Sequence, residues 1–126
     1  MSEVVSVSGD DFTGAASHES NTLTTWLKGN ADYAALDALE MLLTRVHTEA
    51  RRLAVGEVIV DLRQLEFMNS SCFKAFVTWI SMMQDEADRR YRVTFLSNPA
   101  MRWQRRSLQA LSCFAADIIS VETRSA

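Results

Sequence analysis

Residues Glu57 to Ile80 read EVIVDLRQLEFMNSSCFKAFVTWI and predict a strand, a polar turn and a helix. The first part, Val58 to Val60, is a run of β-branched residues that is too short for a helix and too apolar for a surface loop. We therefore predict a strand that is buried on both faces and ends at Asp61. From Phe73 onward apolar residues recur at steps of three and four, which is the pattern of a helix lying on a sheet.

Four small residues, Asn69-Ser70-Ser71-Cys72, join the predicted strand to the predicted helix. Asn and Ser are favoured N-caps, because their side-chain oxygens accept the unpaired backbone N–H groups of the first turn. One cap is enough to start a helix, so a hydroxyl remains for another role. A helix N-terminus also stabilises an anion by about 0.3 to 1 kcal/mol. We interpret the turn either as plain capping or as a place where a phosphate on Ser70 or Ser71 would be stabilised.

The stretch from Val58 to Ile80 resembles the signature of the STAS domain, the module of bacterial anti-sigma factor antagonists. The shared pattern is an apolar strand, the pair Asp61-Leu62, the apolar approach Phe67-Met68, the turn Asn69-Ser70-Ser71-Cys72 and a helix. The likeness extends more loosely from about Leu23 to Val121. In the family the turn reads Asp-Ser-Ser-Gly, so this chain has an asparagine and a cysteine in place of the acidic residue and the glycine.

The resemblance implies that Ser70, the first serine of the pair, accepts a phosphate from a partner kinase, with Ser71 as the second choice. The two replacements, Asn69 and Cys72, leave a second hypothesis, which is a STAS-like scaffold or constitutive binder that is not phosphorylated. A third hypothesis is a small enzyme with Cys72 as its nucleophile, because a thiol in the first turn of a helix can have a lowered pKa.

The function implied by the resemblance is a non-catalytic protein-binding module of a bacterial partner-switching pathway. The unmodified domain would bind a serine kinase that acts as an anti-sigma factor, and a serine phosphatase would reset the phosphorylated form. Phosphate on Ser70 would add about two negative charges at the contact edge and so oppose binding. The residues predicted to contact the partner are Met68, Asn69, Ser70, Ser71, Cys72, Phe73, Lys74 and Arg102.

Length and charge limit the classes of function. The 126 residues have the size of one domain, 1–126. The net charge of −3, from 13 basic and 16 acidic residues, gives no reason to expect nucleic acid or an anionic membrane as a partner. The sequence has no Gly-rich phosphate loop, no metal-ligand spacing and no nucleophile elbow, so we expect no cofactor, no metal and no enzymatic activity.

The sequence also indicates a compartment. Cys72 and Cys113 are distant in sequence and fall in predicted helices, which favours a reducing environment over a disulfide framework. No apolar run approaches the roughly 18 residues of a membrane span, and the first residues lack the order of a signal peptide. We therefore expect a cytoplasmic protein.

The N-terminal part predicts two strands and a long helix. Val4 to Val7 and Leu23 to Leu27 read as strands that pair as a hairpin across a flexible polar stretch, about residues 9–21. Asp32 is the predicted cap of the first helix. Its apolar positions are Leu36, Leu39, Leu43, Val46, Ala50 and Leu53.

The C-terminal part predicts a strand at Val93 to Leu96 and a helix that starts at Asn98-Pro99, with a cap followed by proline. The buried side of this helix is predicted to be Leu108, Leu111 and Phe114. Arg102, Arg105 and Arg106 flank Trp103 and are interpreted as a solvated face, with an acidic patch on a protein partner as the alternative. A last strand follows at Ile118 to Val121, and 122–126 are predicted to form a tail.

Successive strand-helix-strand units require a parallel arrangement of the strands that they connect. We therefore predict an α/β domain with a mixed, largely parallel five-stranded sheet packed against three main helices. In such sheets ligands bind at the carboxyl ends of the parallel strands. Ser70, Ser71 and the loop Ser97-Asn98-Pro99 are predicted to meet at this edge.

Overall fold

The structure is a computed structural model that describes residues 2–85 and 91–124. In chain order the elements are β1 (Ser2–Ser8), β2 (Phe12–Glu19), β3 (Thr22–Ala31), a 3-10 turn (Tyr33–Ala35), α1 (Leu36–Arg52), β4 (Glu57–Met68), α2 (Ser70–Gln84), β5 (Arg92–Ser97), α3 (Arg102–Phe114) and β6 (Ile119–Thr123).

The strands form one sheet in the order β1-β2-β3-β4-β5-β6. The pairs β1-β2 and β2-β3 are antiparallel, and the strands from β3 to β6 are parallel. The predicted α/β class, with a mixed and largely parallel sheet and three main helices, is confirmed. The sheet has six strands in the described ranges rather than the five that the sequence predicts.

The additional strand is β2, which lies in the stretch 9–21 that was expected to be flexible. It pairs with β1 on one side and with β3 on the other, so the predicted hairpin of the first and last of these strands is wrong. Its buried positions are occupied mainly by small residues such as Gly14 and Ala16, which carry no strong strand signal. The small residue at Gly14 lets α1 pack closely, because a Cβ added there would lie 2.7 Å from a methyl carbon of Leu42.

The three helices pack on one face of the sheet, as right-handed crossovers between successive neighbouring strands require. Val58 and Val60 point to this face and are fully buried, whereas Ile59 points to the other face and is only partly buried. The prediction that this strand is buried on both faces is therefore wrong for its central residue. On the helix face the ring of Phe76 meets that of Phe95 edge-on, with the ring centroids 5.9 Å apart.

The start of the first helix follows the sequence prediction, with one addition. The Asp32 carboxylate accepts a hydrogen bond from the backbone N–H of Ala35 at 3.2 Å, and this cap begins the 3-10 turn that leads into α1. The predicted apolar stripe of α1 is buried at Leu39, Leu43, Val46 and Ala50.

Strand β4 continues well past Asp61, where the sequence predicts its end. It pairs with β3 as far as Met68, which lies beside Ala31, and two register shifts accommodate the irregular course. This extension contains polar side chains, so a search of the sequence for apolar runs does not detect it. As a result α2 starts next to the end of β3.

The start of α3 also differs from the prediction. The Asn98 side chain accepts a hydrogen bond from the backbone N–H of Ala100 at 2.9 Å and closes a turn that contains Pro99, so the helix begins at Arg102. Phe114, predicted to be buried, is 45% exposed. Strand β6 ends at Thr123, so the predicted tail starts later than 122, and residues 125–126 lie outside the described ranges.

No helix in the described ranges is long and apolar enough to cross a lipid bilayer.

Candidate functional site

The N-cap of α2 is Asn69, and its side chain does the capping. Its Oδ1 accepts a hydrogen bond from the backbone N–H of Cys72 at 2.9 Å, and its carbonyl oxygen accepts one from the N–H of Phe73 at 3.0 Å. Its own N–H donates to the carbonyl oxygen of Ala31 at the end of β3, at 2.9 Å. The cap therefore both starts the helix and ties it to the neighbouring strand, and no serine is needed for either task.

Ser70 and Ser71 are the first two residues of α2. The Ser70 side chain is exposed and that of Ser71 is partly buried. Within residues 2–85 and 91–124, neither hydroxyl makes a hydrogen bond, and the first turn of α2 contains no acidic residue. The Ser70 hydroxyl is thus presented outward at the positive end of a helix that has no anion of its own.

Cys72, which the sequence predicts in the contact surface, is fully buried beneath the turn and is not accessible for direct contact in this structure. Its Sγ donates to the backbone carbonyl oxygen of Asp32 at 3.4 Å. Burial, reinforced by the negative charges of Asp32 and Glu40, raises the pKa of the Cys72 thiol to about 11. A buried thiol that resists ionisation is a poor nucleophile, which argues against the hypothesis of a Cys72 enzyme.

We expect a brief treatment of the folded protein with iodoacetamide at pH 7 to label Cys113 and to leave Cys72 unmodified. Cys113 is exposed, whereas the raised pKa lowers the thiolate fraction of Cys72 by about 100-fold relative to an ordinary thiol. Intact mass spectrometry of the wild type and of Cys113→Ser measures the two sites separately. Labelling of folded Cys113→Ser at the rate found in denaturant would contradict this environment for Cys72.

Two exposed aromatic side chains lie on elements that adjoin the start of α2. Phe67 is 47% exposed at the end of β4, and Tyr33 is 77% exposed in the 3-10 turn. The cap of this turn, Asp32, accepts the hydrogen bond from the Cys72 thiol. The sequence prediction missed Tyr33, although an aromatic residue directly after a helix cap and outside the apolar stripe is a usable signal. We call the surface formed by the following residues the docking edge: Tyr33, Phe67, Met68, Asn69, Ser70, Ser71, Phe73 and Lys74.

Arg102 and the loop at residues 97–99 lie apart from the cap of α2. The Asn98 side-chain amide donates to the backbone carbonyl oxygen of Arg63 at 3.2 Å, near the middle of β4, and Arg102 lines a groove between α3 and β6. Because β4 extends past Asp61 to Met68, it brings Asn69 to the end of β3, where the Asn69 N–H bonds to Ala31. The structure thus separates the two groups that the sequence predicts at one edge.

Gln104 is a buried polar residue that the sequence prediction missed. Its Nε2 donates to the carbonyl oxygens of Leu62, at 2.6 Å, and Leu65, at 3.0 Å. Its Oε1 accepts from the backbone N–H of Asn98 at 2.8 Å. One side chain thus joins α3, β4 and the loop after β5. Its position four residues before Leu108 places it on the buried stripe, which is the signal that could have found it.

The pair Asp61 and Arg63 marks the sheet face opposite the helices. The Asp61 carboxylate accepts hydrogen bonds from the Arg63 side chain, with Nη2 at 2.8 Å and Nε at 3.0 Å, and from the Arg63 backbone N–H at 3.1 Å. Burial by itself raises the pKa of Asp61, but these hydrogen bonds outweigh it and hold the pKa below its usual value. The Asp61 carboxylate is therefore ionised, and both of its oxygens accept hydrogen bonds from Arg63.

Three solved structures resemble this chain over most of its length. An anti-sigma factor antagonist from Mycobacterium paratuberculosis matches with a TM-score of 0.67 at 14% identity, covering 91% of this chain and 88% of that chain. SpoIIAA, a Bacillus cell fate determinant, matches in its phosphorylated form with a TM-score of 0.58 at 17% identity, covering 86% of this chain and 90% of that chain. The unphosphorylated form of SpoIIAA, also an anti-sigma factor antagonist, matches with a TM-score of 0.57 at 17% identity, covering 88% of this chain and 86% of that chain.

The chain has the STAS fold. No protein-family model and no curated protein sequence matches it. The sequence resemblance to the STAS signature between Val58 and Ile80 thus agrees with the three-dimensional match. Within this STAS fold the two replacements in the turn have structural roles, because Asn69 caps α2 and Cys72 packs inward.

Proposed function

We propose that this STAS domain is a non-catalytic binding module that acts like an anti-sigma factor antagonist in a partner-switching pathway. Its partner would be a serine kinase that doubles as an anti-sigma factor, and the docking edge would contact it. The carrying observation is the exposed Ser70 hydroxyl, which is left without a hydrogen bond within the described ranges because Asn69 caps the helix. The match to anti-sigma factor antagonists supports the proposal.

The docking edge has the composition of a protein interface. Tyr33 and Phe67 supply exposed aromatic area, which is enriched at the centres of protein–protein contacts. Lys74, one turn into α2, supplies a charge at the rim. Because these side chains belong to elements that adjoin the start of α2, a group added to the Ser70 hydroxyl would lie within the proposed contact.

Phosphorylation of Ser70 would act as the switch. The kinase would transfer the terminal phosphoryl group of ATP to the Ser70 oxygen, with loss of the hydroxyl proton and release of ADP. At the N-terminus of α2 the phosphate would be tolerated by the fold, since an anion there gains about 0.3 to 1 kcal/mol. In the docked complex the added charge of about −2 would need to be desolvated against the partner, which opposes binding. A serine phosphatase would restore the unmodified state.

The cytoplasm is the compartment that we propose. Both cysteines are free, and Cys113 is exposed to solvent. An exposed free thiol suits a reducing environment.

We expect Ser70→Asp to weaken binding to the kinase by about tenfold or more, and Ser70→Ala to bind it regardless of ATP. Isothermal titration calorimetry with ATP-lid serine kinases encoded near the gene measures the affinities. Thr78→Asp, which adds the same charge on an exposed position of α2 two turns away, is the matched control and should bind like the wild type.

Intact mass measurement after incubation with kinase and ATP completes the test. The wild type and Ser71→Ala are expected to gain one phosphate, and Ser70→Ala none. If the mass does not change and Ser70→Asp binds as tightly as the wild type, the domain is a constitutive binder or scaffold and the switch is wrong.

A further inference from the structure

A second surface, separate from the cap of α2, lies where α3 runs beside the edge of the sheet. It is a groove of about 1150 Å³ between α3 and β6. Arg102, Arg105 and Arg106 line it from the helix, and Val121 and Thr123 line it from the strand. The proposed function assigns no role to this groove.

The groove is positively charged although the whole chain carries a net charge of −3. All three arginine side chains are exposed, and within the described ranges none of them forms an ion pair or a hydrogen bond. Among the residues that the structure describes, no aspartate or glutamate lines the groove. Like charges one turn apart destabilise a helix, and the repulsion among these unpaired arginines would be offset by an acidic partner.

Strand β6 is the last strand of the sheet, and no described part of the chain pairs with its outer edge. On the paired edge, the N–H of Val93 donates to the carbonyl oxygen of Ile118, and the N–H of Arg124 donates to the carbonyl oxygen of Ser97. Residues 118 and 124 thus face β5, and since strand residues alternate, the backbone groups of Val121 and Thr123 point outward. Both residues are exposed.

We propose that the groove binds an extended acidic segment of a partner protein, which joins the sheet as a strand beside β6. Its backbone would exchange hydrogen bonds with the outward N–H and C=O groups of Val121 and Thr123. Acidic side chains at every second position would meet Arg102 and Arg105, because alternate side chains of a strand share one face. Val121, which is 39% exposed and lines the same groove, would be covered by the aliphatic stems of these acidic side chains. The segment would pair with about five residues, the length of β6.

The geometry disfavours two other occupants. A second copy that paired its own β6 with this edge would bring two rows of arginines side by side, which like-charge repulsion opposes. A nucleic acid would meet the arginines but lacks the regular peptide N–H and C=O groups that the free edge of β6 requires. An acidic peptide strand satisfies the charge and the edge together.

The test uses a fluorescein-labelled peptide of alternating glutamate and valine, and its binding to the full chain is followed by fluorescence polarisation. We expect binding that weakens as salt is added, and a loss of affinity of about tenfold or more in Arg105→Glu. Arg45→Glu reverses an exposed arginine on α1 and is the matched control, expected to bind like the wild type. Absence of binding by the wild type, or equal binding by Arg105→Glu, would show that the groove does not bind acidic segments.

Strand addition has its own test in Val121→Pro. The Val121 N–H points away from β5, so proline removes an outward donor without breaking a bond of the sheet. Circular dichroism checks that the variant folds, and we expect it not to bind the peptide. If the variant does not fold, the wild type is tested with two peptides, one N-methylated at its glutamates and one at its valines. One of the two, according to the direction of the added strand, should bind no better than background. Undiminished binding by Val121→Pro, or of both methylated peptides, would rule out the strand.

Further controls separate the alternatives. The peptide with glutamine in place of glutamate should bind much more weakly, and single-stranded oligothymidine should not displace the labelled peptide. Equal binding of the glutamine peptide, displacement by the oligonucleotide, or a dimer in sedimentation that Arg105→Glu abolishes would each contradict the proposal. Ser70→Asp should bind the peptide like the wild type, so the peptide experiment tests this inference independently of the proposed switch.

Discussion

Replacing Gln104 with leucine is expected to lower the free energy of unfolding by about 3 kcal/mol or more. The substitution keeps the volume of the side chain but removes its amide from a fully buried position. The carbonyl oxygens of Leu62 and Leu65 would each lose a partner in a buried place, and the N–H of Asn98 would lose one in a partly buried place. An unpaired buried polar group costs about 1 to 3 kcal/mol, so the two carbonyl oxygens alone exceed the gain from the apolar leucine.

Urea denaturation followed by circular dichroism measures this loss, and Gln109→Leu is the control on the same helix. Gln109 is exposed, so its replacement should change the stability by no more than about 0.5 kcal/mol. Gln104→Glu adds a pH test, since a carboxylate would face two carbonyl oxygens. That environment raises the pKa of the new carboxyl in the folded state, so its penalty should grow as the pH rises through the titration. Equal stability of Gln104→Leu and the wild type would show that these hydrogen bonds are not needed.

Replacing Gly29 with alanine is expected to cost about 3 kcal/mol. Gly29 lies in β3 with φ +96°, a backbone conformation that residues with a side chain rarely adopt. A Cβ there would collide with the carbonyl oxygen of Asp11, which accepts a hydrogen bond from the N–H of Asn30 at 2.7 Å. Because the obstacle is backbone that is already bonded to β3, it cannot move aside without opening the β1-β2 turn.

Gly9→Ala is the matched control for this prediction. A Cβ at Gly9 has its nearest neighbour, the carbonyl oxygen of Phe12, at 4.0 Å, so the fold accommodates it. Thermal unfolding should place Gly9→Ala within about 0.5 kcal/mol of the wild type and Gly29→Ala far below it. Similar stabilities for the two variants would refute the strained conformation at Gly29.

Local sequence chemistry is sufficient for several elements. The apolar spacing of α1, its cap at Asp32 and the β-branched run at Val58 to Val60 each report on neighbours within one or two turns, and the structure contains all three. The row of capping residues before α2 likewise predicts a helix start with a hydroxyl to spare, which is the situation of Ser70. From these elements the right-handed crossover rule is enough to predict a mixed, largely parallel α/β sheet.

The other features depend on contacts between distant residues, which no local pattern encodes. Strand β2 forms from small residues because two flanking strands pair with it, and β4 extends to Met68 because β3 runs beside it. The inward direction of Cys72 and the bonds of Gln104 are likewise set by groups about 40 residues away in sequence. The sequence alone therefore determines where the α2 turn lies and that it has a hydroxyl to spare. Which side chains surround that hydroxyl, and where the arginine groove lies, follows only from packing, because pairing and burial energies arise when distant segments meet.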